Sequence, residues 1–248
     1  MNRRRKIVFI LSATGFLVLG PGTAAHAMHI AEGILPASWA VLWFALSIPF
    51  IGLGLRNLRI RSEREPQYKA LVGLVGAGVF VISCMPIPVP TSGTCSHPCG
   101  TGIAAVLIGP SVTVVLASVA LTLQALFLAH GGLTTLGADV LSMGVAGSFV
   151  GYGIFLLAGR LGASWTVAAF MAGLLSDWAT YAVTSLILAL GLHGDAAFGT
   201  MFLSIALAFV PTQLPVGILE GFISAAAYRF VLVRRPEFLG LLAKGGTL

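Results

Sequence analysis

Long apolar runs separated by short polar breaks occupy most of the chain, at residues 34–55, 69–87, 102–128, 137–158, 163–190, 197–211 and 214–232. Most approach or exceed the roughly 20 residues that an α-helix needs to cross a bilayer. The last two runs are divided at Pro211 to Pro215, where two prolines flank Thr212 and Gln213 and predict a break. The pattern therefore predicts an all-α polytopic transmembrane bundle with about seven spans. No internal repeat of 20 to 50 residues is visible, which argues against a solenoid.

Composition agrees. Hydrophobic residues make up 57% of the 248 positions and charged residues 9%, against about 25% charged in an ordinary soluble domain. The first 27 residues differ from the rest: Arg3, Arg4, Arg5 and Lys6 precede an apolar stretch from Ile7 to Leu19, and Ala25-His26-Ala27 forms a small-residue cleavage site. That stretch is too short to span and reads as a signal peptide, residues 1–27. Cleavage after Ala27 leaves a membrane-embedded domain, 28–248, beginning at Met28.

Charge then orients the spans. The chain has 14 Lys and Arg and 8 Asp and Glu, a formal +6. With the mature N-terminus outside, seven spans place Arg56, Arg59, Arg61, Arg64 and Lys69 in a cytoplasmic loop. Arg229, Arg234, Arg235 and Lys244 fall at the cytoplasmic end, and only Arg160 is left outside. The cell inner membrane is the expected location. Removing the four leader charges leaves ten basic residues against eight acidic ones, so the basic character gives no case for nucleic acid.

Two ligand-bearing segments fall on the outer side: the new N-terminus, Met28 to Gly33, and the loop from Pro86 to Gly102. A free amine at Met28, the amide nitrogen between Met28 and His29, and the His29 imidazole can wrap one metal ion in fused five- and six-membered rings. Late divalent ions such as Co, Ni, Cu and Zn favour such nitrogen donors, whereas Mg and Ca do not. His97 is the candidate fourth nitrogen, being the other histidine of this cap ahead of the third span. Glu32 and Ser96 are candidates to orient these ligands from behind, and Glu32 equally reads as a helix-start cap. Cys95 and Cys99 read as soft ligands, as a disulfide or as small packing residues.

The stretch from Met28 to Pro36, the run from Gly93 to Gly102 containing Cys-Ser-His-Pro-Cys-Gly-Thr-Gly, and the block from Leu128 to Asp139 resemble the substrate-capture subunit of energy-coupling-factor cobalt transporters, the CbiM family. The similarity runs from Met28 to about Arg235. It implies a bundle into which the external N-terminus inserts, holding Co(II) through the Met28 amine, the His29 amide and imidazole, and the His97 imidazole. It also implies a small membrane partner, a transmembrane coupling protein and a cytoplasmic ATPase, with the cobalt destined for cobalamin synthesis. Family cobalt proteins often carry Met and Thr where this chain has Ala31 and Cys99. The nickel relatives, the NikM family, usually carry Pro-Asp in place of Ala31-Glu32.

No Gly-rich phosphate loop followed by Lys-Ser or Lys-Thr is present, so ATP hydrolysis is expected on a partner, and no zinc-enzyme pairing such as H-E-x-x-H occurs. No cofactor is expected; Co(II) is cargo. The alternatives are a nickel-capture subunit and a self-sufficient metal channel or secondary transporter, for which intramembrane Asp177 and Glu220 are the relevant residues. Intrabundle hydrogen bonding is the plainer reading of both. Gln124, His130 and Asp139, around Gly131, Gly132 and Gly137, read as a polar turn between the third and fourth spans. Gly144, Gly147, Gly151, Gly153 and Gly159 read as helix-contact positions.

Overall fold

The computed structural model describes residues 30–85, 87–89 and 94–234, so the expected signal peptide, Met28 and His29 lie outside the described residues. Seven helices are described: α1 (Ala37–Arg64), α2 (Pro66–Ser83), α3 (Thr101–Ile108), α4 (Pro110–Phe127), α5 (Leu136–Arg160), α6 (Trp165–Leu192) and α7 (Phe198–Arg234). Six of them, all but α3, are long and apolar enough to cross a membrane. A short antiparallel hairpin, β1 (Ile87–Val89) with β2 (Thr94–Ser96), joins α2 to the loop ahead of α3, with Ile87 opposite Ser96.

Local chemistry sets the boundaries. Glu65 precedes Pro66, is held in extended conformation at φ −135° and ψ 93°, and so ends α1, while Pro66 begins α2 with no intrahelical amide to lose. Arg61 and Arg64 in the last turn of α1 oppose its negative C-terminal dipole. Gly109, at φ +89°, breaks the third apolar run, and Pro110 starts α4. The expected single span 102–128 is therefore two helices.

These two helices run in opposite directions. Tyr68 and Ser83 at the two ends of α2 bond to Ile108 and Gln124 respectively, so α2 and α4 are parallel. Gly100 packs against Val79 while Ile108 lies beside Tyr68, so α3 is antiparallel to both. Eight residues of α3 cover only about 12 Å. All eight are buried, as an irregular or partial crossing requires when its backbone must be shielded from lipid. From Gly100, α3 returns toward the Tyr68 end of α2, and with α4, α5, α6 and α7 alternating in direction Ile30 and Arg234 lie at opposite ends of the bundle.

The expected break between 197–211 and 214–232 does not occur: α7 is one helix of 37 residues with Pro211 and Pro215 inside it. Neighbouring helices can satisfy and clamp a proline-bearing membrane helix. Here the Trp178 Nε1–H of α6 donates to the Gln213 carbonyl at 3.0 Å, and α6 and α7 pack along their lengths. Glycine permits that approach, since a Cβ on Gly173 would stand 2.8 Å from the Glu220 carbonyl oxygen. Of the glycines expected at helix contacts, Gly147 and Gly151 do face α3 and α6, whereas Gly153 faces open space.

Candidate metal centre

Residues 30–33 are seated on the turn 132–135 and the start of α5. The Ile30 amide donates to Asp139 Oδ1 at 3.1 Å, and the Thr135 hydroxyl donates to the Ile30 carbonyl at 2.6 Å. Ile30 itself is buried among Leu35, Ala138, Ile187 and Leu188. The backbone next to His29 is thus held by one carboxyl and one hydroxyl, which pair both main-chain groups of the buried Ile30.

Glu32 is not the helix-start cap that was one of its two expected roles. Its Oε2 accepts the Thr134 amide at 3.2 Å, so it fastens the N-terminal segment to the 132–135 turn, and the first long helix begins later, capped by Pro36 without a side-chain bond. Hydrogen bonds from the Thr134 side chain and backbone hold the Glu32 carboxyl below its ordinary pKa, against the weaker opposing effect of burial.

His97 is buried at the same end. Its amide donates to the Tyr181 hydroxyl at 2.9 Å, and that hydroxyl lies 3.1 Å from the His97 carbonyl. The ring Nδ1 sits 3.0 Å from the Pro98 carbonyl, which can only accept, so Nδ1 carries the proton and the lone pair resides on Nε2. Burial pushes the His97 pKa down to about 4, partly opposed by the Pro98 bond, and the imidazole is neutral at pH 7. A neutral ring with a fixed tautomer is the form that ligates a metal.

Ser96 does not reach that ring. Its hydroxyl donates to Thr212 Oγ1 at 2.8 Å and accepts from Gln213 Nε2, tying the loop to α7. Cys99 is a free thiol, so the disulfide alternative is not realised. Its amide and that of Gly100 donate to Glu220 Oε2 and Oε1 at 2.6 and 2.8 Å. Gly100, at φ +69°, supplies the left-handed turn by which the loop enters α3.

His130 is the residue that the sequence reading missed. Expected in a polar turn, it is buried with its ring centroid 6.4 Å from that of His97. Burial, then the proximity of His97, lowers its pKa to about 3. Ala129, immediately before it, adopts φ +48°, a left-handed conformation unusual for a residue with a Cβ. The expected shared turn of Gln124, His130 and Asp139 separates into three functions: Gln124 bonds Ser83 at the end of α2, His130 faces His97, and Asp139 grips Ile30.

These features define a polytopic α-helical membrane protein with a buried histidine centre at one end and an N-terminal segment fixed at the same end. A family profile described as the cobalt uptake substrate-specific transmembrane region, CbiM, matches residues 29–238. The chain is 61% identical over 215 residues to a cobalt transport protein CbiM of Sorangium cellulosum, covering 87% of this chain and 96% of that one. It is 60% identical over 232 residues to a cobalt transport protein CbiM of Geobacter sulfurreducens, covering 94% of this chain and 65% of the longer relative. A crystal structure of a truncated transition metal transporter superposes with a TM-score of 0.73 at 25% identity, over 83% of this chain and 99% of that one. The chain belongs to the CbiM family. Members of this family are substrate-capture components of transport systems and not catalytic enzymes.

Proposed function

We propose that the protein is the capture subunit of an ATP-driven energy-coupling-factor importer of Co(II), serving cobalamin synthesis from the cell inner membrane. Signal cleavage after Ala27 frees the Met28 amine outside. That amine, the Met28–His29 amide, the His29 imidazole and the His97 imidazole hold the ion, and His130 walls the same site. The Ile30 end faces outward and the Arg61 end faces the cytoplasm, where the coupling protein and the ATPase engage; a small membrane partner completes the capture unit.

The observation that carries this reading is the grip of Asp139 and Thr135 on Ile30 at the end of the bundle that also holds His97. It fixes the backbone one residue beyond His29, as a terminal chelate of three nitrogens demands. Relatives at 61% and 60% identity, both cobalt transport proteins, support Co(II) as cargo, and Ni(II) is the expected nearest competitor. Uptake in cells supplying the coupling partners tests the assignment: Co(II) accumulation exceeds that of Mg(II) and Mn(II) and is competed best by Ni(II). A dominant Mg(II) flux indifferent to excess cobalt contradicts it.

A further inference from the structure

On the α3 side of the histidine loop, Cys99, Asp177 and Glu220 bring a thiol and two carboxylates together inside the bundle. One donor atom from each lies within 4.8 Å of the other two, and all three residues are buried. The Cys99 Sγ lies 3.7 Å from Asp177 Oδ1. Glu220 spends one bond of each oxygen on the Cys99 and Gly100 amides and retains further lone pairs.

Asp177 is not similarly satisfied. Its Oδ2 is buried and makes no hydrogen bond, and it faces α7, where a Cβ on Gly217 would stand 3.1 Å away, one turn from Glu220. Among the described residues no Lys, Arg or His forms an ion pair with either carboxylate; the salt bridge present is Arg59 with Glu63 at the surface. Two carboxylates and an unsatisfied oxygen in an apolar bundle are costly unless a cation or shared protons neutralise them. A thiolate beside carboxylates selects a borderline or soft divalent ion over Mg or Ca.

We propose that Cys99, Asp177 and Glu220 form a second metal site, a stepping point that receives the ion from the histidine centre. Only Pro98 separates Cys99 from His97, so their Cα atoms lie within about 7 Å. The chain between them leads into α3, whose far end meets Arg61 and Tyr68 at the opposite side of the bundle. Binding displaces the Cys99 thiol proton to solvent and leaves a thiolate–metal bond. The direction of ion movement rests on the capture reading above, whereas the existence of the site does not.

The test is an anaerobic Co(II) titration of the purified mature protein, with bound metal counted by mass spectrometry and thiolate ligation read from sulfur-to-cobalt charge-transfer absorption in the near ultraviolet. The wild type takes up a second, weaker equivalent together with that band. Cys99→Ser abolishes the band and keeps the first equivalent, whereas Cys95→Ser leaves the band in place. Asp177→Asn weakens the second equivalent by about 10-fold or more. His97→Ala weakens the first equivalent and keeps the band. A wild type with one equivalent and no band, or a band that follows Cys95 instead of Cys99, overturns the proposal. A Cys99-dependent band without any first equivalent sinks the capture reading and leaves the second site standing.

Discussion

Asp139 Oδ1 accepts the amide of Ile30 at 3.1 Å across 109 positions of sequence, so the first turn of α5 dictates where the N-terminal segment of the described chain lies. Losing the acceptor would leave the buried Ile30 amide unsatisfied, at a cost of about 1–3 kcal/mol.

Loss of that bond loosens the N-terminus. Asp139→Ala is expected to speed Co(II) dissociation by about 10-fold or more, the rate equivalent of that cost, with membrane insertion retained. Asp139→Asn, whose side-chain oxygen can still accept, falls between the two. Stopped-flow chelation measures this, and an unchanged release rate in Asp139→Ala contradicts the anchoring role.

The two histidines are expected to differ in weight. His97→Ala leaves the N-terminal chelate whole and opens one position to water, weakening metal retention by about 10-fold or more without loss of the fold. His130→Ala removes the neighbouring ring and costs less. Equilibrium dialysis of both variants decides the order, and a larger loss at His130 would transfer the main side-chain donor from the loop to the 128–135 turn.

Ala129 stores local strain. A left-handed residue with a Cβ costs roughly 1–2 kcal/mol, and the extra unfolded-state freedom of glycine returns about half of that. Ala129→Gly is expected to raise stability by about 0.5–1 kcal/mol, seen as a higher midpoint of thermal unfolding in detergent, with metal affinity unchanged. A lowered midpoint shows that the turn is not under strain.

Orientation has its own check. Single cysteines introduced at 56–69, the basic end of α1 and the start of α2, react with an impermeant reagent only from the cytoplasmic side, and those in the 88–100 loop only from the outside. Reaction of both segments from one side contradicts this orientation.

Most helices were legible because lipid demands long apolar runs, and those runs mark α2, α5 and α6 within several residues, whereas α1 continues past the expected end at 55 through its basic turns to Arg64. The third run concealed its break because residues on both sides of Gly109 and Pro110 are equally apolar, and the Gly-Pro pair was the signal. The prolines of α7 misled in the opposite sense, since their cost is met by packing against α6, which no local pattern reveals. At the site, His97 stood out through its loop. The partners of His130, Asp139 and Glu220 were not legible, because the groups they face lie 33, 109 and 121 positions away, and a run of apolar residues carries no record of which helix it will meet.

The central claim is that the free amine of Met28 binds the ion, and one added residue tests it most directly. A mature protein beginning at Met28 and the same protein extended by a single residue before Met28 are purified, their N-termini confirmed by mass spectrometry, and their Co(II) affinities and nitrogen coordination compared. Both histidines are intact in each. The extended protein is predicted to lose about 100-fold or more in affinity at unchanged yield, because the terminal amine no longer closes the first chelate ring. Parental affinity with an unaltered nitrogen coordination sphere would contradict the account and pass the role of the amine to another donor, such as His130 or Cys95.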